Sequence, residues 1–205
     1  MTGLREQKKA QTRSAIIAEA GRLFTAQGFQ ATTMDEIAAA AGVSPATLYN
    51  YFGTKNSVLL ADVETTVGEM IDAGSVVLMD PPQDVVEAVQ SLMAVVMDHF
   101  IALDRELLRE VFAVSFGPSR DVLPELIRLD LLVAEQLGKL LEQFVSPKGL
   151  APGIEVDEAV ITIYSAMATQ LVMYVSMEQM TAAAAQQAVA RQIEIMFSGL
   201  GAHER

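Results

Sequence analysis

Between residues 28 and 54 the signals that end and start helices lie so close together that only two short helices fit. Gly28 closes an upstream helical-period run of Ile16, Ile17, Ala20, Leu23 and Phe24 as a C-terminal cap. Thr33 is a natural N-cap. Glu36, three residues on, completes the spacing of a capping box, and Asp35 also suits the positive helix end. Gly42 supplies a tight turn. Ser44 caps again, with Pro45 at the first helical position, where its missing N–H does no harm. Gly53 stops that helix after about two turns, and Thr54 caps a longer one beginning at Lys55. Met34, Ile37, Ala38 and Ala41 of the first short helix can face a core. So can Leu48 and Phe52 of the second, which are four apart. Each short helix thus has one side to bury and another left for solvent.

The same period runs through the rest of the chain. Long apolar helices are expected at about 84–103, 105–116, 122–145, 156–179 and 182–198, with Asp80-Pro81-Pro82 as the clearest break. No strand-like alternation of useful length occurs, and Ala, Leu, Val, Met, Glu and Gln favour helix. The expected fold class is all-α. A small N-terminal helix-turn-helix domain occupies residues 1–54, with residues 1–11 as a mobile basic arm and the first helix starting at Thr12. A connecting helix spans 55–79, and a larger helical bundle spans 80–205. The chain has no Cys, which excludes disulfides and thiolate chemistry. Its start is polar and basic with no apolar run behind it, so no signal peptide is expected. The uncharged stretch 159–177 is interrupted by Thr162, Ser165, Thr169, Gln170 and Ser176 and has acidic flanks. It reads as a buried helix of a soluble, cytoplasmic protein rather than a membrane span.

The net charge is −12, yet it is unevenly spread. Residues 1–60 hold six basic and four acidic side chains, a net of +2; the remainder holds eight and twenty-two, a net of −14. Exposed charges more than about 8 Å apart are largely screened at physiological salt, so a locally basic surface can meet a polyanion while the acid faces elsewhere. The second short helix offers Pro45, Ala46, Thr47, Tyr49, Asn50 and Tyr51 on its free side. Hydroxyls of Thr and Tyr can donate to phosphate oxygens, and a helix of this kind can enter a major groove. It holds no Arg or Lys, so base reading falls to apolar contact of Pro45 and Ala46 with thymine methyls, with Asn50 facing either adenine or solvent. Lys55 opens the next helix, where the dipole also attracts phosphate.

The stretch TTMDEIAAAAGVSPATLYNYFGTKNSVLLA resembles the DNA-binding segment of the tetracycline-repressor (TetR) family. It has the Thr-capped helix with Ile37-Ala38, then Gly42-Val43-Ser44, then Thr47-Leu48-Tyr49 and Tyr51-Phe52, then Lys55. Residues 15–29 also fit the family's first helix, so the resemblance covers about residues 10–60. It implies DNA contacts at Thr33, Ser44, Ala46, Thr47, Tyr49, Tyr51 and Lys55. The chain departs from many members at Pro45-Ala46, where they carry Lys or Arg with Gly. The resemblance further implies dimerisation through the last two long helices and a switch in which a ligand in the large domain tilts the connecting helix.

Other readings stand beside these. Tyr49 and Tyr51 can pack as ordinary aromatics. Thr33 and Ser44 are caps first, which is compatible with touching phosphate. Arg5, Lys8, Lys9 and Arg13 form a solvated arm unless they reach DNA. The carboxylate pairs Asp35/Glu36, Asp104/Glu106 and Asp157/Glu158 lie at expected helix starts, where the dipole accounts for them. His99 borders an apolar stripe and His203 stands alone, so neither a metal site nor a catalytic set is expected; no cofactor is implied. Met93, Met97, Phe100, Phe112, Phe116, Tyr164 and Met167 are either core filling or the lining of an apolar effector pocket. Small residues on 156–179 (Ser165, Ala168 and Thr169) and the stripe Ala185, Val189, Ile193, Met196 and Phe197 are the candidate dimer surface. The expected function is a non-enzymatic, ligand-responsive DNA-binding transcriptional regulator. It would be a homodimeric repressor on a palindromic duplex operator, released by a small, largely apolar effector. The alternative is an activator or co-regulator controlled by a protein partner.

Overall fold

The computed structural model describes residues 2–116, 123–145, 150 and 153–199. Among them lie nine helices and no strand, as the all-α reading expects. In chain order they are α1 (Thr2–Gln27), α2 (Met34–Ala40), α3 (Pro45–Phe52), α4 (Lys55–Met79), α5 (Val85–Ala102), α6 (Arg105–Phe116), α7 (Leu123–Glu142), α8 (Val156–Ser176) and α9 (Ala182–Ser198).

The basic arm is not an arm. α1 starts at Thr2, and Thr12 lies inside it, its hydroxyl donating to the Lys8 carbonyl at 3.0 Å. Residues 3–11 have no apolar stripe, which is why periodicity missed them, yet Leu, Arg, Glu, Gln, Lys and Ala are all good helix formers.

Packing divides the chain at places other than 54/55 and 79/80. One compact unit is Met1–Thr66 with Leu103–Ile127; the other is Val67–Ala102 with Arg128–Arg205. Of the three boundaries, 66/67 and 127/128 cut through α4 and α7, and 102/103 falls between α5 and α6.

In the first unit Ile16, Ala20, Phe24, Ile37, Leu48 and Val58 are essentially fully buried, each contributing roughly 1.5–3 kcal/mol for the larger side chains. The Phe24 and Phe29 rings meet at 5.1 Å between centroids. α6 belongs here, burying Leu107 and Leu108, and Glu110 accepts a hydrogen bond from Gln30 at 2.9 Å. α1 and α4 come close at Gly21: a Cβ there would stand 2.6 Å from Asp62 Oδ1.

In the second unit α9 packs on both α5 and α8. α5 buries Ala88, Val89, Leu92, Met93, Val96 and Met97 at helical spacing, and Asp84 caps it by accepting from Val86 N–H at 2.9 Å. α5 and α8 are both long and apolar enough to cross a bilayer. Each instead turns a row of fully or nearly buried residues toward its neighbours within the unit. α7 is tied to α4 by two amides seven residues apart. Gln136 Nε2 donates to Ile71 O at 2.7 Å, and Gln143 Nε2 to Leu78 O at 3.2 Å. The absence of a side chain at Gly74 makes room for the buried Gln136 amide.

The stripe of α9 offered above to a second subunit is partly used inside the unit: Ala185, Val189 and Ile193 are buried. Their four-residue spacing marks a packing face but not its partner.

Candidate nucleic-acid interface

α2 and α3 form the helix-turn-helix, and each expected cap is made. Thr33 Oγ1 accepts from Glu36 N–H at 3.2 Å, while Glu36 Oε2 accepts from Thr33 N–H and hydroxyl, both at 2.8 Å. Those bonds, the backbone one foremost, hold the Glu36 carboxyl below its usual range. The turn closes with Val43 N–H on Ala38 O at 2.9 Å, and Gly42 sits at φ 66°, a conformation that favours glycine. Ser44 Oγ accepts from Thr47 N–H at 3.1 Å and lies 2.8 Å from the Thr47 hydroxyl.

α3 has one wholly buried side chain, Leu48. Pro45, Ala46, Tyr49 and Asn50 are exposed, Tyr49 by half; Thr47 and Tyr51 are half-buried. A single anchored residue therefore orients the helix and leaves an outer face of small apolar and hydroxyl groups. Phe52, expected in the core, is half-buried and carries the Arg13 guanidinium 5.6 Å above its ring. Arg13 also pairs with Glu64 at 3.2 Å. This clasp of α1, α3 and α4 was invisible in sequence, since Arg13 read only as one more basic residue.

Lys55 behaves unlike the other expected contacts. Its ammonium turns inward to the carbonyls of Phe29 (2.7 Å), Gln30 (3.3 Å) and Thr32 (2.9 Å). Thr54, just before it, accepts from Ser57 N–H at 3.1 Å and caps α4 as expected.

The expected effector residues are divided between the units. Met93 and Met97 are buried in α5 and border an open groove of about 670 Å³ lined also by Gln186, Val189 and Ile193 of α9. Met167 is buried in α8. Phe100 is half-buried in α5. Tyr164 donates to Asp130 Oδ1 at 2.7 Å, and burial together with that carboxylate pushes its phenol up, keeping it protonated. Phe112 is half-buried in the first unit, and the side chain of Phe116 lies outside the described residues. A second hollow of about 310 Å³, lined by Ile154, Ile163, Met196 and Phe197, had no sequence signal. His99 Nδ1 lies 2.8 Å from the Val95 carbonyl of its own helix.

The free face of α8 remains. Ile161, Ser165, Thr169, Val172 and Ser176 are exposed along one side, with Ala168 partly so.

Residues 16–61 match the family described as bacterial regulatory proteins, tetR family. The chain is 43% identical over 61 residues to the HTH-type transcriptional regulator TcmR of Streptomyces glaucescens. It is 43% identical over 60 residues to BetI of Rhizobium meliloti (strain 1021). These matches cover 30% and 29% of the chain, and 27% and 30% of the relatives' own lengths. Across 94% of the chain the fold matches Thermus thermophilus FadR, a repressor solved with lauroyl-CoA. The TM-score is 0.74 at 23% identity, covering 97% of that protein. The sequence match falls on the capped helices and the fold match extends through the bundle: residues 16–61 form a DNA-binding segment of the tetR type, set in a chain with the fold of that family's solved members.

Proposed function

We propose that the protein is a cytoplasmic, homodimeric transcriptional repressor that leaves its operator when a small, largely apolar effector enters the second unit. The observation that carries this is α3: one fully buried anchor, Leu48, beneath an exposed face of Pro45, Ala46, Tyr49 and Asn50. On DNA, Thr33, Ser44, Thr47, Tyr49 and Tyr51 take phosphate oxygens. Pro45 and Ala46 meet thymine methyls, and Asn50 is placed for adenine. Arg5, Lys8 and Lys9 have no ion-pair partner among the described residues and add attraction along the backbone. One such head reads one half-site; a two-fold pair reads a palindrome. The uncovered small-residue face of α8 supports that pairing.

For the effector, Met93, Met97 and Met167 favour an adaptable apolar lining. The fold neighbour's lauroyl-CoA makes long acyl thioesters the first ligands to try. The test is a gel shift with a duplex selected from a random library by the protein itself, titrated with acyl-CoA, free fatty acids and aromatic hydrophobes. Binding of a palindromic duplex, lost on adding one of these compounds, is the expected result. A duplex that no small molecule releases, but a protein from the same cell does, favours the partner-controlled alternative.

A further inference from the structure

Lys55 opens α4, where a cation is well placed to meet phosphate, yet its ammonium is already engaged. An ammonium has three protons. Here three backbone carbonyls, of Phe29, Gln30 and Thr32, receive them at 2.7, 3.3 and 2.9 Å. The Phe29 ring centroid lies 4.3 Å from the same nitrogen, near enough for the ring's negative face to attract the charge. All three acceptors belong to the turn between α1 and α2. That turn holds little structure of its own: Thr32 N–H donates to Phe29 O at 3.2 Å and Thr32 Oγ1 to Gly28 O at 2.8 Å. The next residue is Thr33, the cap of α2.

We infer that Lys55 is a positioning residue. It gathers the 29–32 turn onto the start of α4 and so sets where Thr33 and the first turn of α2 stand, instead of neutralising a phosphate. The inference deepens the proposed DNA-binding function and rests on it for its consequence, though the tie itself does not. It also moves the source of electrostatic affinity. Arg13 is paired with Glu64, Arg22 with Glu19, and Lys55 with the turn. Among residues 2–66 that leaves Arg5, Lys8 and Lys9 as the cations without such partners.

The test uses the full chain, as wild type, Lys55→Met and Lys55→Gln. Amide hydrogen exchange needs no DNA. Residues 28–36 should exchange about tenfold faster in the Met variant, with α8 and α9 unaffected. The Gln variant, which keeps two donors without the charge, should fall between; it carries the comparison if the Met variant does not fold. Unchanged exchange over 28–36 overturns the inference. The second readout is affinity for the selected duplex between about 50 and 200 mM salt. The Met variant should bind about tenfold more weakly at every salt concentration, with the slope of log affinity against log salt unchanged. A slope shallower by about 0.9, the signature of one lost phosphate contact, overturns it. If the wild type selects no duplex, the DNA-binding reading fails, and the exchange data alone decide the role of Lys55.

Discussion

The two units are held together by different means. In the first, helices of seven and eight residues are fixed by polar groups that close on backbone: Thr33 with Glu36, Ser44 with Thr47, Lys55 with a turn. In the second, helices of seventeen to twenty-one residues meet through apolar stripes, with a few amide ties such as Gln136 to Ile71. Short helices are marginal by themselves, so the first unit depends on individual hydrogen bonds. The second spreads its stability over many apolar contacts and can tolerate a groove of about 670 Å³. Under the proposed function, the first unit has to hold one shape for DNA, whereas the second has to keep room for an effector.

The contrast can be tested by perturbing each side. Thr169→Arg places a cation on the exposed face of α8. If that face joins two subunits, the dimer should weaken by about 3–5 kcal/mol, the usual cost of an unpaired buried charge. Sedimentation equilibrium should then find monomer with unchanged helix content, and an unaltered dimer mass would move the interface elsewhere. Leu48→Ala removes the sole buried anchor of α3. It should cost about 2–5 kcal/mol and abolish operator binding while leaving ligand affinity of the body within a factor of about two. Comparable loss at both sites would break the distinction between units.

Gly74→Ala is a smaller probe, inside the body. Helix propensity favours Ala by about 1 kcal/mol, but its Cβ would stand 2.4 Å from Gln136 Oε1, and such overpacking costs about 1–3 kcal/mol. The change should destabilise wild type, yet stabilise a Gln136→Ala background. The same sign in both, by urea denaturation, would mean the amide moves aside freely. The smallest effect is at Glu36. Its folded carboxyl is held below the ordinary value of 4.5, so the stability it adds is present above that value and fades as pH falls through the folded one. Urea midpoints of wild type and Glu36→Gln should therefore converge as the medium is acidified. A gap that stays constant between about pH 6 and pH 3 would remove the capping box from the account.

Much of the first unit was legible because its signals are local. Thr33 and Glu36, Gly42, Ser44 with Pro45, and Gly53 state their conformations within a few residues of one another, and the structure makes each cap. What the sequence hid there depends on contacts between distant residues: Arg13 reaches Glu64 and Phe52, and Lys55 reaches back to residue 29. The helical start of α1 was hidden for another reason, since a solvent-exposed helix has no apolar period to read. In the second unit the helices were legible, but their partners were not. Ala185, Val189 and Ile193 mark a face that wants burial, and nothing in their spacing says whether α5 or another subunit provides it.

Gly21 stands where α1 crosses α4, leaving no room for a methyl group beside Asp62. Any larger residue at that position would press on the Asp62 carboxylate and work against the Arg13–Glu64 pair that joins the same two helices.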